Sequence, residues 1–383
     1  MKVLYDHQTF ELQDYGGISR YFFELLRNPV GIQVELALKR SSNVYLLQDD
    51  RWCQGVEARE DAFGRILAGV EFRGKDRIHR LLRNLGIVVD PSRLNLRNSL
   101  EQIDRGVFDV FHPTYYDPYF IESIGTRPFV LTVHDMIHEI YPEYSLAGDR
   151  TSFNKRLLCE RAARIIAVSN TTKEDLIRLF GVEEAKIDVI YHASFLSPAR
   201  LSSRSTFSAP GKYILFTGNR HFYKNFKFFL RAITDVLQQD RDLVVVCTGP
   251  TFSIDELDYF EALGVRDRLI HVAADDEQLG ELYRRAEMFV FPSLYEGFGM
   301  PVLEAFSCRC PVVASDTEVF REIGGDAVTF FQPKDLVSIR NAVRSILENR
   351  TMRDEMANRG YERNRCFSWR QTTEQTRRTY EKV

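Results

Sequence analysis

Short runs of consecutive apolar residues alternate along this chain with stretches whose apolar positions recur every three or four residues. Lys2–Tyr5, Val34–Leu38, Val107–Phe111, Phe129–Val133, Ile165–Val168 and Ile187–Tyr191 form a first series. Runs this short and unbroken fit strands buried on both faces, and the helical spacing between them fits crossover helices. The alternation predicts a mostly parallel sheet with helices on both sides. A polar stretch rich in Ser and Pro then marks residues 198–211 as a linker. A second series follows at Tyr213–Thr217, Leu243–Thr248, Leu269–Val272, Met288–Phe291, Val312–Ala314 and Val328–Phe331. The expected class is α/β, with two doubly wound Rossmann-like domains, residues 1–197 and 212–366, facing across a cleft. Ligands belong at the carboxyl ends of such strands. A last helix is expected from Phe367-Ser-Trp369 through Tyr380.

The bulk properties narrow the classes. A chain of 383 residues exceeds one ordinary core, and two domains of roughly 150–200 residues are the natural division. A formal charge of −3 argues against nucleic acid as the partner. The N-terminus reaches Asp6 too early for a signal peptide, and no run approaches the ~18 apolar residues of a membrane span, so a cytoplasmic protein is expected. The six cysteines have no disulfide or zinc spacing and read as buried free thiols.

The densest chemistry lies at Ser293-Leu-Tyr-Glu296-Gly-Phe-Gly299-Met-Pro301-Val-Leu-Glu304-Ala. A buried strand precedes it. Val302, Leu303 and Phe306 after it have helical spacing, and Pro301 suits a first helical turn because its missing N–H needs no partner there. Gly297 and Gly299 allow a sharp turn and a close approach of backbone to ligand. The helix N-terminus offers free N–H groups and a positive dipole end to a phosphate. The two carboxylates suit the hydroxyls of a sugar and a ribose. A sugar attached to a nucleotide is the expected ligand.

This string, from Glu296 to Glu304 with Gly297, Phe298, Gly299, Met300 and Pro301 between, resembles the E-x7-E motif of retaining glycosyltransferases of family 4, which have the GT-B fold. A second segment, Leu215-Phe-Thr-Gly218-Asn219-Arg220-His-Phe-Tyr-Lys224-Asn225, places two cations after a strand end, a natural diphosphate clamp. Family enzymes usually carry Arg directly after the glycine and Lys six after it. Lys224 keeps its place, but Asn219 stands where Arg is usual and Arg220 comes one residue late. The loop resembles a variant branch that includes mannosyltransferases using GDP-mannose.

Three weaker signals sit in the first half. Gly16 and Gly17 open a helix with Ile18, Phe22, Leu25 and Leu26 on one face, and the resemblance implies a glycine loop facing the donor diphosphate. His134 follows a strand and matches a family histidine that contacts the donor sugar. His138 lies four residues on, but without the Glu of H-E-x-x-H a metal pair is not expected. His112, Tyr115, Tyr116 and Asp135 read as acceptor-side residues, although the tyrosines could equally be loop packing. Asp240-Arg-Asp242 matches D-x-D but precedes its strand, so chance accounts for it. Residues 73–85 have Ile78, Leu81, Leu82 and Leu85 on one helical face and Arg77, Arg80 and Arg83 opposite, which fits either an anionic membrane surface or a core-packed helix.

The resemblance implies a metal-independent retaining transferase without cofactor, its terminal helix (367–383) packed back on the first domain. The expected catalytic set is His134, Glu296, Arg220 and Lys224, with Glu304 on the ribose. The partners implied are a nucleotide sugar and a glycan or lipid-linked saccharide acceptor in surface polysaccharide synthesis. Two rival readings are a GT-B sugar-nucleotide epimerase or hydrolase and a silent nucleotide-sugar-binding subunit.

Overall fold

The computed structural model describes residues 1–58, 91–144, 148–196 and 210–383. Most of the expected linker and the whole basic segment 73–85 lie outside the described residues. Six parallel strands build the first sheet: β1 (Lys2–Tyr5), β2 (Gln33–Leu36), β3 (Val110–His112), β4 (Val130–Val133), β5 (Arg164–Ala167) and β6 (Ile187–Val189). They form two ladders, β2-β1-β3 and β4-β5-β6, joined by a parallel bridge between Phe111 and Phe129. The second sheet is continuous, in the order β9-β8-β7-β10-β11-β12, from β7 (Lys212–Phe216), β8 (Leu243–Cys247), β9 (Leu269–His271), β10 (Met288–Phe291), β11 (Val312–Ser315) and β12 (Val328–Phe331).

Every residue of β4, β10 and β11 is buried, the reason these strands read as near-continuous apolar runs, interrupted only by Thr132 in β4 and Ser315 in β11. β3 starts three residues later than the apolar run suggests, and Val107 is exposed. Gly106, with φ +65°, ends the helix Pro91–Arg105, so 107–109 is still connector. Asp109 then anchors the register by accepting from the Lys2 N–H at 2.7 Å.

Each sheet reverses its strand order once, between β1 and β3 in the first and between β7 and β10 in the second. Loops diverge at such a point and leave a crevice outside the carboxyl ends. The helix Trp369–Tyr380, capped by Ser368, returns to the first sheet. There the Tyr380 hydroxyl lies 2.7 Å from that of Tyr5, and Thr379 Oγ1 donates to Asp188 at 2.9 Å. Four cysteines are buried, but Cys53 and Cys366 are exposed, so the expectation of buried thiols holds for four of the six. No helix of the described residues is long and apolar enough to cross a membrane.

Candidate active site

The β7/β10 crevice holds both strong motifs. Behind β10, Gly299 takes φ +103°, which a residue with a Cβ resists, and it starts the helix Met300–Ser307 with Pro in its first turn. Lys224, in a short 3-10 turn after β7, sets its Nζ 2.6 Å from Glu296 Oε1. Both side chains are largely covered, at 15% and 12% exposure. The Lys224 ammonium also lies over the rings of Tyr223 and Phe291. Two residues 72 apart in sequence thus form one charge-paired unit at the crevice floor.

Arg220 is placed differently from the expectation of a free clamp. Its Nε and Nη2 donate to both oxygens of Glu256, at 2.6 and 3.1 Å, and Nη2 also donates to the carbonyls of Pro250 and Thr251. The guanidinium is stacked over Phe252 and is only 4% exposed. Only Nη1 is left without a partner among the described residues. The ion pair holds the Glu256 carboxyl below its usual range against the opposing effect of its burial. Asn219 accepts from the His221 N–H at 3.4 Å, and Gly218, with φ +94°, turns the chain out of β7.

Glu304 lies just over one turn into its helix and accepts from the Tyr283 hydroxyl at 3.1 Å. Burial raises its carboxyl to about 7; the Tyr283 bond opposes this, the charge of Asp276 adds to it and Arg20 offsets it. Arg20 reaches over from the helix Gly17–Arg27 to pair with Asp276 at 2.9 Å. At the start of that helix, a Cβ added to Gly17 would stand 2.5 Å from Met300 Cε, so the glycine loop faces the motif helix.

The β10 loop is fastened to the first half of the chain. A Cβ on Gly297 would fall 1.7 Å from the carbonyl oxygen of His134, so only glycine permits this approach. The Gly297 carbonyl accepts from Ser169 Oγ at 2.6 Å and Thr172 Oγ1 at 3.1 Å. Tyr295 donates to Asp175 at 2.8 Å and accepts from the Met136 N–H. Glu322 receives the N–H groups of Asn170 and Thr171 at the first turn of the helix Asn170–Phe180. Sequence reasoning missed Tyr295, Glu322 and the Arg20–Asp276 pair; only Tyr295 carried a signal, its place beside Glu296.

His134 sits where β4 meets this contact. Its backbone N–H donates to Tyr116 Oη at 3.0 Å, and its ring stacks on His192 and meets Tyr21 edge-on. Burial lowers its imidazole to about 4, so the ring is neutral near pH 7, and Nε2 has no partner among the described residues. His112 is a correction to the acceptor-side expectation. It is fully buried, with Nδ1 2.6 Å from the Tyr380 hydroxyl and Nε2 2.9 Å from Thr132 Oγ1. The returning helix seals it in. Tyr116 is buried as well, whereas Tyr115 is half-buried and lines a cavity beside β1. Asp135 adjoins Gly297, and its carboxylate accepts from the Ile137 N–H. Asp240 pairs with Lys212 at 2.7 Å, and the described residues contain no cluster of three His, Cys, Asp or Glu suited to a metal.

A fold of two facing Rossmann-like sheets with this paired motif crevice defines a GT-B glycosyltransferase. The model for glycosyl transferases group 1 matches residues 200–363 and that for glycosyltransferase family 4 matches residues 15–193. The chain belongs to this family of glycosyltransferases, enzymes that draw on a nucleotide-sugar donor. It is 30% identical to O-antigen chain mannosyltransferase B of Escherichia coli, over 99% of each chain. It is 27% identical to the O-antigen chain mannosyltransferase RfbU of Salmonella typhimurium, over 57% of this chain and 61% of that one. Among solved structures, Anabaena HepE in complex with UDP and glucose superposes over the whole of both chains with a TM-score of 0.69 at 17% identity.

Proposed function

We propose that the chain is a retaining, metal-independent glycosyltransferase that moves mannose from GDP-mannose to a hydroxyl of a glycan or lipid-linked saccharide in surface polysaccharide synthesis. The observation that carries this reading is the Lys224–Glu296 pair at the β7/β10 crevice, 2.6 Å across and set beside a helix N-terminus. Departure of a nucleoside diphosphate builds charge on phosphate oxygens. Lys224, the spare Nη1 of Arg220 and the amides from Gly297 to Met300 are oriented cations and dipoles for that charge, the preorganisation that dominates such catalysis. Glu296 is assigned to donor-sugar hydroxyls, Glu304 to the ribose, and neutral His134 to the sugar near its reacting carbon. The Gly16–Gly17 loop faces the diphosphate from the other side. No side chain is assigned as a nucleophile; the leaving phosphate takes the acceptor's proton. The lobe contacts through Gly297, Tyr295 and Glu322 support a closed site from which water is excluded. The mannose assignment is supported by the two O-antigen mannosyltransferase relatives. Attachment to anionic membrane rests on the sequence of residues 73–85 alone.

The test is transfer from a panel of nucleotide sugars to mannose-terminated saccharides, with NMR of the product anomer. Transfer from GDP-mannose with an α-linked product, undiminished in excess EDTA, is expected. Turnover without acceptor would favour the epimerase or hydrolase reading. Activity abolished by EDTA and restored by Mg²⁺ or Mn²⁺ would overturn the metal-independent one.

A further inference from the structure

The first turn of the helix Gly17–Arg27 meets the second lobe twice. Gly17 faces Met300, the first residue of the helix Met300–Ser307. Three residues on, Arg20 Nη1 donates at 2.9 Å to Oδ2 of Asp276, the first residue of the helix Asp276–Arg285. The Arg20 side chain is buried, at 8% exposure, with its guanidinium over the rings of Tyr45 at 4.5 Å and Phe195 at 5.0 Å. Phe195, at the end of the first lobe, stacks in turn on Trp369 at the start of the returning helix. Glu24, the one acidic residue of Arg20's own helix, stays 3.4 Å away, and Arg20 Nε has no hydrogen bond among the described residues. The carboxylate that satisfies this cation therefore comes from the other lobe. A buried charge that loses its partner is costly, so the pair favours docked lobes.

We propose that Arg20 is a positioning residue of the transfer reaction, which acts through Asp276 to dock the Gly16–Gly17 loop over a bound nucleoside diphosphate. Residues three apart share a helix face, so the loop contact at Gly17 and the ion pair at Arg20 move as one body. The pair also stands beside the nucleoside half of the crevice. Tyr283, on the helix that Asp276 opens, donates to Glu304, the carboxylate assigned to the ribose. The charges of Asp276 and Arg20 act on Glu304 in opposite senses, Asp276 disfavouring its ionised form and Arg20 favouring it. One helix of the first lobe thus meets the diphosphate half through its glycines and the nucleoside half through Arg20. The assignment rests on the transferase reading above, and it adds to it the residue that holds the first lobe in register with the donor.

Asp276→Asn breaks the pair at a side chain that is 61% exposed, so the fold is spared, and Arg20→Gln with the double variant completes a cycle. Amide hydrogen exchange of the peptide containing Gly16 and Gly17, on the unliganded proteins, reads the docking. Transfer from GDP-mannose, beside calorimetry with GDP, separates kcat from nucleotide binding. Asp276→Asn is expected to speed exchange at the glycine loop and to lower kcat about tenfold, within the range for contacting pairs. Its affinity for GDP should hold or rise, because a charge that opposes ionised Glu304 is gone. The double variant should lose no more kcat than the worse single one. Wild-type exchange or wild-type kcat in Asp276→Asn, or losses that add in the double variant, would reduce Arg20 to packing on Tyr45 and Phe195 and overturn the proposal. GDP affinity that falls in step with kcat would make Asp276 a nucleotide contact, and would overturn it too. If Arg20→Gln does not fold, Asp276→Asn decides alone. A wild-type protein that neither binds GDP nor transfers from GDP-mannose would refute the donor reading, and the exchange measurement would still decide the docking.

Discussion

Lys224 Nζ stands 2.6 Å from Glu296 Oε1, and each is the other's only ion-pair partner among the described residues. A diphosphate that recruits Lys224 must share it with a carboxylate, so the cation is held in place before the donor arrives. The pair therefore couples two roles that the sequence suggested separately.

Lys224→Ala removes a charge that matters more as the diphosphate leaves. A fall in kcat of about 10²–10³, or roughly 3–4 kcal/mol, is expected in a protein with an unchanged circular dichroism spectrum. Glu296→Ala releases Lys224 from its competitor, so binding of free nucleoside diphosphate should hold or tighten while transfer falls. Calorimetry beside a transfer assay separates the two. Equal weakening of diphosphate binding by both substitutions would break the division of roles.

Gly297→Ala tests the contact between the two lobes. The added methyl meets main-chain atoms of His134 and Asp135, which cannot rotate away. The lobes should separate, with a larger radius of gyration by small-angle scattering and a loss of more than about a hundredfold in kcat/KM, the order expected when reacting groups shift by an ångström. Gly211→Ala is the control, because nothing stands within 4 Å of its added methyl. Wild-type activity in Gly297→Ala would sink the closed arrangement.

The strands were legible wherever both faces are covered, as in β4 and β10, because burial writes a near-continuous apolar run. The β10 loop was legible for a related reason: its glycines, proline and glutamates all act within a few residues of one another. What escaped detection depends on distant residues. Nothing near Arg220 announces Glu256, which comes from a helix 36 residues on. His112 looked like a cleft residue because it ends a strand, and only the return of Tyr380, 268 residues later, shows why it is buried. The cavity beside β1 exists because the strand order reverses there, and strand order is a property of the assembled sheet.

His112 is predicted to act on stability and leave transfer intact. His112→Ala removes one hydrogen bond from each of the Tyr380 and Thr132 hydroxyls, which keep Tyr5 and Tyr21 as partners, at a cost of about 0.5–1.5 kcal/mol for each bond lost. The pH dependence carries a further signature. Burial lowers the imidazole to about 3, while the unfolded chain protonates near the ordinary histidine value of 6.5. The neutral histidine therefore supports the fold fully above about pH 6.5, and that support drains away as pH falls toward 3. Thermal melts between pH 7 and 4 should show a shallower loss in His112→Ala than in wild type. A large drop in kcat/KM at pH 7.5 with unchanged melting temperature would return His112 to the acceptor side.

Glu304 titrates with the opposite sign. Its folded carboxyl lies near 7, above the 4.5 of the unfolded chain, so its stabilising protonated form is fully present below about pH 4.5 and lost as pH rises through 7. A ribose hydroxyl donates to the charged form, so nucleotide binding should expel this proton. Affinity for GDP is therefore expected to rise between pH 6 and 8. The terminal phosphate of GDP itself loses a proton near pH 6 by analogy with phosphate esters, and would tilt the curve on its own. Glu304→Gln separates the two contributions, since it keeps the phosphate and removes the carboxyl. Calorimetry across this range in two buffers of different ionisation enthalpy should show proton release in wild type that shrinks in Glu304→Gln. Identical pH slopes and proton counts in the two proteins would take Glu304 off the ribose.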